Sequence, residues 1–162
     1  MIEEPTAEDV AVFTQQLGRR PRGLVGVGAR CVCGRPLVAV TAPRLEDGSP
    51  FPTTYYLTSP GAVAAISALE SAGRMREFAE ALADPEIAAA YRVAHDQYIA
   101  DRAKLGDVPE LAGISAGGMP GRVKCLHALV GHSLVAGPGV NPIGDLALAE
   151  IADVWRPDRC TC

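Results

Sequence analysis

Five cysteines and three histidines are scattered along the 162 residues, and their spacing sets the chemistry open to the chain. Cys31 and Cys33 are separated by one residue, Cys160 and Cys162 repeat that spacing, and Cys125 and His127 make a Cys-x-His pair. Zinc accepts thiolate and imidazole ligands and takes four of them in a structural site. Cys31, Cys33, Cys125 and His127 are therefore sufficient in number for one zinc ion. In an extended strand, residues two apart lie on one face, so the Cys31 and Cys33 thiols are expected to point together. In a regular helix, positions i and i+2 point about 200° apart. If the helix already runs at Cys125, that residue does not easily share an ion with His127, and Cys125 with His132 lies on one face instead. The plainer alternative is that the cysteines act as small buried apolar groups.

The stretch GGMPGRVKCLHAL, residues 117–129, supports two further chemistries. Cys125 follows a helix start and stands near Arg122 and Lys124, surroundings that favour thiolate. His127 or His132 would serve as its base, with an acidic orienter such as Asp145. Gly117 and Gly118, ahead of a helix and beside Arg122 and Lys124, also offer backbone N–H groups and two cations to an anion. The pattern is neither a Walker loop nor a dinucleotide fingerprint, and a tight turn explains the glycines equally well. Two functional readings result. One is a non-enzymatic metal-binding or partner-binding domain with a Cys/His site and zinc as its cofactor. The other is a small enzyme acting on a phosphate-bearing substrate through the Gly117–Lys124 loop and Cys125 or His127. Partners are accordingly a protein or a small phosphate-bearing ligand.

These residues must be positioned by regular elements. Thr6 with Asp9 forms a capping-box pattern, and Val10, Phe13 and Leu17 continue at helical spacing until Gly18. Residues 24–29, 37–42 and 53–58 are short β-branched or aromatic runs bounded by Gly and Pro, and they predict three strands joined by connections too short for helical crossovers. Tyr55 and Tyr56 then fall on opposite faces, one in the core and one at a cleft rim. Helices follow: one capped by Ser59 with Pro60 at its first position, one over 74–83, and a longer one restarted by Asp84-Pro85. Residues 106–118 predict an irregular loop, Pro120 the start of a helix to about Val135, and Asp145 the start of a last helix using Leu148, Ile151 and Trp155. Asn141, Pro142 and Asp145 predict a turn and cap, with a place beside residues 117–125 as the alternative. His95 is expected to be a hydrogen-bonded structural residue, and Arg19, Arg20 and Arg22 a solvated basic cluster. The expected fold is α+β, a small antiparallel sheet of about three strands covered by several helices. Residues 1–162 form one domain with a flexible tail over 156–162.

Composition narrows the classes. The chain is 48% hydrophobic and 21% charged with a formal net charge of −4, which suits a globular protein and argues against generic nucleic-acid binding. No apolar run reaches the roughly 18 residues of a membrane span. The acidic start MIEEPTAEDV lacks the basic-then-apolar order of a signal peptide. A cytoplasmic location follows, where thiols stay reduced or bind metal.

LGRRPRG, RCVCGRPLV, DGSPFPTTYYLTSP, LESAGRM, GGMPGRVKCLHAL and NPIGD, in this order from residue 17 to 145, resemble the bacterial family called domain of unknown function 501. The resemblance implies a cytosolic bacterial protein of about this length and brings no catalytic residue or cofactor with it. One departure is Ser59, where many relatives are expected to carry a cysteine before Pro60. Cys160 and Cys162 lie outside the region of resemblance.

Overall fold

The computed structural model describes residues 2–162. Helix α1, Ala7–Leu17, begins at the expected capping box. The Asp9 backbone N–H donates to Thr6 Oγ1 at 3.1 Å, while the Thr6 N–H donates to Asp9 Oδ2 at 2.9 Å. Gly18, with φ of 72°, ends the helix in the left-handed conformation that glycine adopts without a steric penalty.

Strands β1 (Leu24–Arg30), β2 (Pro36–Thr41) and β3 (Tyr55–Leu57) form an antiparallel meander in the order β1-β2-β3. The register pairs Val38 with Leu57 and Val40 with Tyr55, and the β1–β2 ladder carries irregularities after Leu24, Val27 and Ala29. Every residue of β2 is buried, because helices cover both faces of the central strand. On one face Phe13 of α1 packs with Val27 and Ala39.

The other face receives the larger core. Helix α5, Leu126–Ala136, packs on β3 and is itself covered by α2 (Pro60–Ser71) and α6 (Pro142–Ile151). Its residues Leu126 and Ala128 through Ser133 are all buried, as expected of a helix that is apolar around its whole circumference. Two glycines permit the close packing. A Cβ on Gly131 would lie 2.6 Å from the Tyr55 carbonyl oxygen, and one on Gly144 would collide with the Leu129 carbonyl and the Ser133 hydroxyl.

Helix α3 (Met75–Glu80) and a 3-10 turn lead into α4 (Pro85–Ala103), which starts where Asp84 accepts the Glu86 N–H at 2.9 Å. The buried Tyr98 hydroxyl of α4 accepts the Thr54 N–H at 2.7 Å and so fixes the entry to β3. Arg102, 4% exposed, has no carboxylate partner among the described residues. Its guanidinium donates instead to the carbonyls of Leu111 at 3.0 Å, Pro52 at 3.2 Å, Ser115 at 3.4 Å and Ile114, holding the loop before α5 against the chain entering β3. His95 has its expected role, with Nδ1 2.8 Å from Ser115 Oγ.

The α+β class and the three antiparallel strands are as the sequence predicts, while two helix starts differ. Helix α5 begins at Leu126 rather than at Pro120, because residues 116–125 fold back on themselves. The Gly117 carbonyl accepts the N–H groups of Lys124 at 2.7 Å and Cys125 at 3.3 Å, and the Gly118 carbonyl accepts that of Arg122 at 3.0 Å. Helix α6 begins at Pro142, three residues before Asp145, with the Asn141 side chain accepting the Gly144 N–H at 3.0 Å. Ser59 precedes α2 without a side-chain capping bond. Among the described residues no helix is long and apolar enough to cross a membrane.

Candidate metal centre and thiol–imidazole cleft

The turn between β1 and β2 carries Cys31 and Cys33. They do not lie in a strand, as the sequence predicts; the turn itself brings them together. The Cys31 N–H donates to the Arg35 carbonyl at 2.8 Å, the Gly34 N–H donates to the Cys31 carbonyl at 2.8 Å, and Gly34 takes φ of 91°. Arg30 braces this turn from the strand end. It donates to both oxygens of Asp9 at 2.8 and 3.0 Å, to the Gly34 carbonyl at 3.0 Å and to Glu3 at 2.7 Å. The Arg30 guanidinium holds the Asp9 carboxyl well below the usual carboxylate range.

The C-terminal segment docks on the same turn. The Val32 N–H donates to the Pro157 carbonyl at 2.9 Å, and Trp155 is buried against the Gly61 backbone. As a result the sulfurs of Cys31, Cys33, Cys160 and Cys162 all lie within 4.8 Å of one another. Cys31 is buried and the other three are exposed. The Arg35 backbone N–H and the neighbouring thiols bring the Cys33 thiol down to about 7. Four soft thiol donors converging in this way are a group that could hold a metal ion. Ser59 is buried beside Thr161 and Cys162 in the adjoining recess, so the tail brings a thiol to the side of the serine.

Cys125 and His127 do not join that cluster. Cys125 precedes α5 in an extended conformation and His127 lies in the first turn of the helix, so the helical i, i+2 separation does not apply between them. They converge with Glu70 at the end of α2, and one donor atom from each of the three lies within 4.8 Å of the others. Glu70 Oε1 accepts the Leu126 N–H at 2.9 Å and stands 3.2 Å from His127 Nδ1, while Ser67 Oγ is 3.1 Å from His127 Nε2. The imidazole holds the Cys125 thiol below its ordinary value, and the thiol in turn raises the imidazole. Cys125 and His127 open on a cleft of about 660 Å³, walled by Gln16 and Leu17 of α1, Tyr55 to Leu57 of β3, and Pro60 and Val63 of α2. Tyr55 is the core tyrosine and Tyr56 the partly exposed one at the rim.

The anion residues have a different setting. The N–H groups of Met119, Arg122, Lys124 and Cys125 are all taken by carbonyls of the same loop. Arg122 and Lys124 are exposed and do not line the cleft. His132 is buried in the core, with Nδ1 3.1 Å from Asn141 Nδ2 and the ring stacked on Tyr55, away from Cys125 and His127. Sequence spacing therefore finds Cys31 with Cys33 and Cys125 with His127, and misses that they belong to two separate clusters. It gives no role to Glu70 or Ser67, whose only signal is their i, i+3 spacing on one helix.

No curated protein and no solved structure matches the chain. A family match does exist, over residues 27–149, and it takes in Cys31, Cys33, Glu70, Cys125 and His127 while stopping short of the tail cysteines. Since it covers more than half of the chain and agrees with the motifs from RCVCG to NPIGD, the chain belongs to the family described as protein of unknown function, DUF501.

Proposed function

We propose that this protein is a non-enzymatic zinc-binding domain in which Cys31, Cys33, Cys160 and Cys162 hold one ion and thereby fasten the C-terminal segment to the β1–β2 turn. The observation that carries this reading is the convergence of four thiols within 4.8 Å, contributed by two segments far apart in the sequence, the β1–β2 turn and the C-terminal tail. Hydrophobic packing alone does not call for it, because three of the four cysteines are exposed and contribute little to the core. Zinc accounts for their placement: thiolates are its preferred soft ligands, and binding to a folded site stabilises the fold that assembles it. The five unpaired thiols fit a reducing compartment, which supports a bacterial cytosolic location.

The test is metal content by plasma mass spectrometry on protein purified without chelator, compared with the double variant Cys160→Ser/Cys162→Ser. The double variant is expected to hold one zinc fewer per chain. Its tail should also become open to trypsin at Arg159. Equal zinc content in the two proteins, with the tail equally resistant, would sink the reading.

A further inference from the structure

The Glu70, Cys125 and His127 cluster differs from the four-thiol site in composition and surroundings. Three unlike donors, a carboxylate, a thiol and an imidazole, come from two helices that meet end to start, and two of them face a cleft of about 660 Å³. Catalytic and ligand-binding zinc sites commonly have this composition: three protein ligands and a fourth position left to water or a ligand. A metal-bound histidine is usually oriented by a hydrogen bond at its other ring nitrogen. Ser67 Oγ stands 3.1 Å from His127 Nε2, which leaves Nδ1 facing Glu70 at 3.2 Å.

Two covalent alternatives fit less well. A Cys125 nucleophile activated by His127 would use Nε2 while the carboxylate holds Nδ1, but Nε2 is already turned to Ser67. A Ser67–His127–Glu70 triad has suitable distances, yet Ser67 does not line the cleft and Cys125 would be left without a role.

We propose that Glu70, Cys125 and His127 form a second metal site for a zinc-type divalent cation, with an open coordination position that faces the cleft and receives a neutral ligand through an oxygen atom. The cleft determines the ligand class. Its lining contains no lysine, arginine, aspartate or glutamate; Tyr55, Tyr56, Leu57, Pro60 and Val63 line it, with Thr53 and Thr58 as uncharged polar residues beside them. Gln16 adds an acceptor: its Nε2 donates to the Pro36 carbonyl at 2.9 Å, while its Oε1 is buried without a partner. A phosphate-bearing ligand would find no cation there apart from the metal. A neutral, partly apolar molecule with a carbonyl or hydroxyl oxygen suits the metal, and an N–H or O–H on it suits Gln16. The site does not depend on the four-thiol site, since the two share no residue.

The experiment is a cobalt(II) titration of the full chain, followed by visible absorption, with benzamide as a neutral oxygen-donor probe. Wild type should bind two ions per chain. Cys125→Ser, Glu70→Gln and His127→Ala should each bind one, and Cys160→Ser/Cys162→Ser should bind one at the other site. In that double variant the probe should shift the cobalt spectrum. One ion per chain in wild type, lost only with the tail cysteines, would overturn the proposal and leave the four-thiol reading intact. A cobalt spectrum in the double variant that the probe does not move would overturn the open position. Hydrolysis of p-nitrophenyl acetate by metal-free protein, abolished by Ser67→Ala, would replace the proposal with the serine triad. Because Glu70 and Cys125 are only partly buried, Glu70→Gln and Cys125→Ser keep the test valid if His127→Ala misfolds.

Discussion

His132 makes stability depend on pH in a way that can be worked out from its surroundings. The ring is fully buried, stacked on Tyr55 at a centroid distance of 5.8 Å and meeting Tyr98 edge-on at 5.1 Å. Asn141 Nδ2 stands 3.1 Å from Nδ1, and Nε2 has no partner. Burial disfavours the imidazolium and pushes the group down to about 4, below its ordinary 6.5, which the unfolded chain retains. The unfolded state therefore binds the extra proton first. The stability His132 contributes is present above pH 6.5 and is lost as pH falls from there to about 4. With about 1.36 kcal/mol per unit, the loss between pH 7 and pH 4 comes to about 3 kcal/mol. His127 titrates in the opposite sense, since its raised value favours the folded state at low pH, so the His132 effect must be isolated by difference. Urea unfolding of wild type and His132→Phe at several pH values from 7 to 4 provides this. The variant fills the ring site without a titrating nitrogen, so the wild-type advantage should shrink by about 3 kcal/mol across the range. Parallel curves for the two proteins would refute the argument.

Two further perturbations test the packing that positions both sites. Gly144→Ala places a methyl against the Leu129 carbonyl and the Ser133 hydroxyl and should destabilise by about 1–3 kcal/mol, lowering the melting temperature by about 2–4 °C for each kcal/mol; an unchanged melting temperature would refute the close approach. Arg102→Met leaves four carbonyls without their donor and should cost at least about 2 kcal/mol, with amide exchange quickening between residues 109 and 118. Exchange in that loop as slow as in wild type would show that the guanidinium does not hold it.

The elements were readable in the sequence where one local rule acted alone. Thr6 and Asp9 mark the start of α1, Asp84-Pro85 that of α4, and the β-branched runs bounded by Gly and Pro mark the strands within two residues. The reading failed where two local rules competed. Pro120 looks like a first helical residue, but the carbonyls of Gly117 and Gly118 capture the N–H groups of Arg122, Lys124 and Cys125, and the helix cannot start until Leu126. The same loop explains the cleft, because it keeps Cys125 extended and lets its thiol reach His127. Spacing identifies ligand pairs but not which pairs meet. Cys31 and Cys33 could have joined Cys125 and His127 or Cys160 and Cys162, and docking of the tail through Val32 and Pro157 decided it. Glu70 was out of reach for a similar reason: a glutamate at the end of an alanine-rich helix has no local mark of a ligand, and only the α2–α5 contact gives it one.

The two glycine contacts of α5 bear on how the cleft can move. Gly131 seats the helix on the Tyr55 backbone, and Gly144 seats α6 against the Leu129 carbonyl of α5, so α5 is held at backbone distance by two elements. The wall that carries Cys125 and His127 is thus a fixed jaw. Any change of width to admit a ligand falls to the wall at the end of α1, where Gln16 and Leu17 line the cleft through their side chains. Fit to a bulky ligand is therefore set by that movable jaw, and ligands of different widths would meet the same thiol and imidazole at the same spacing.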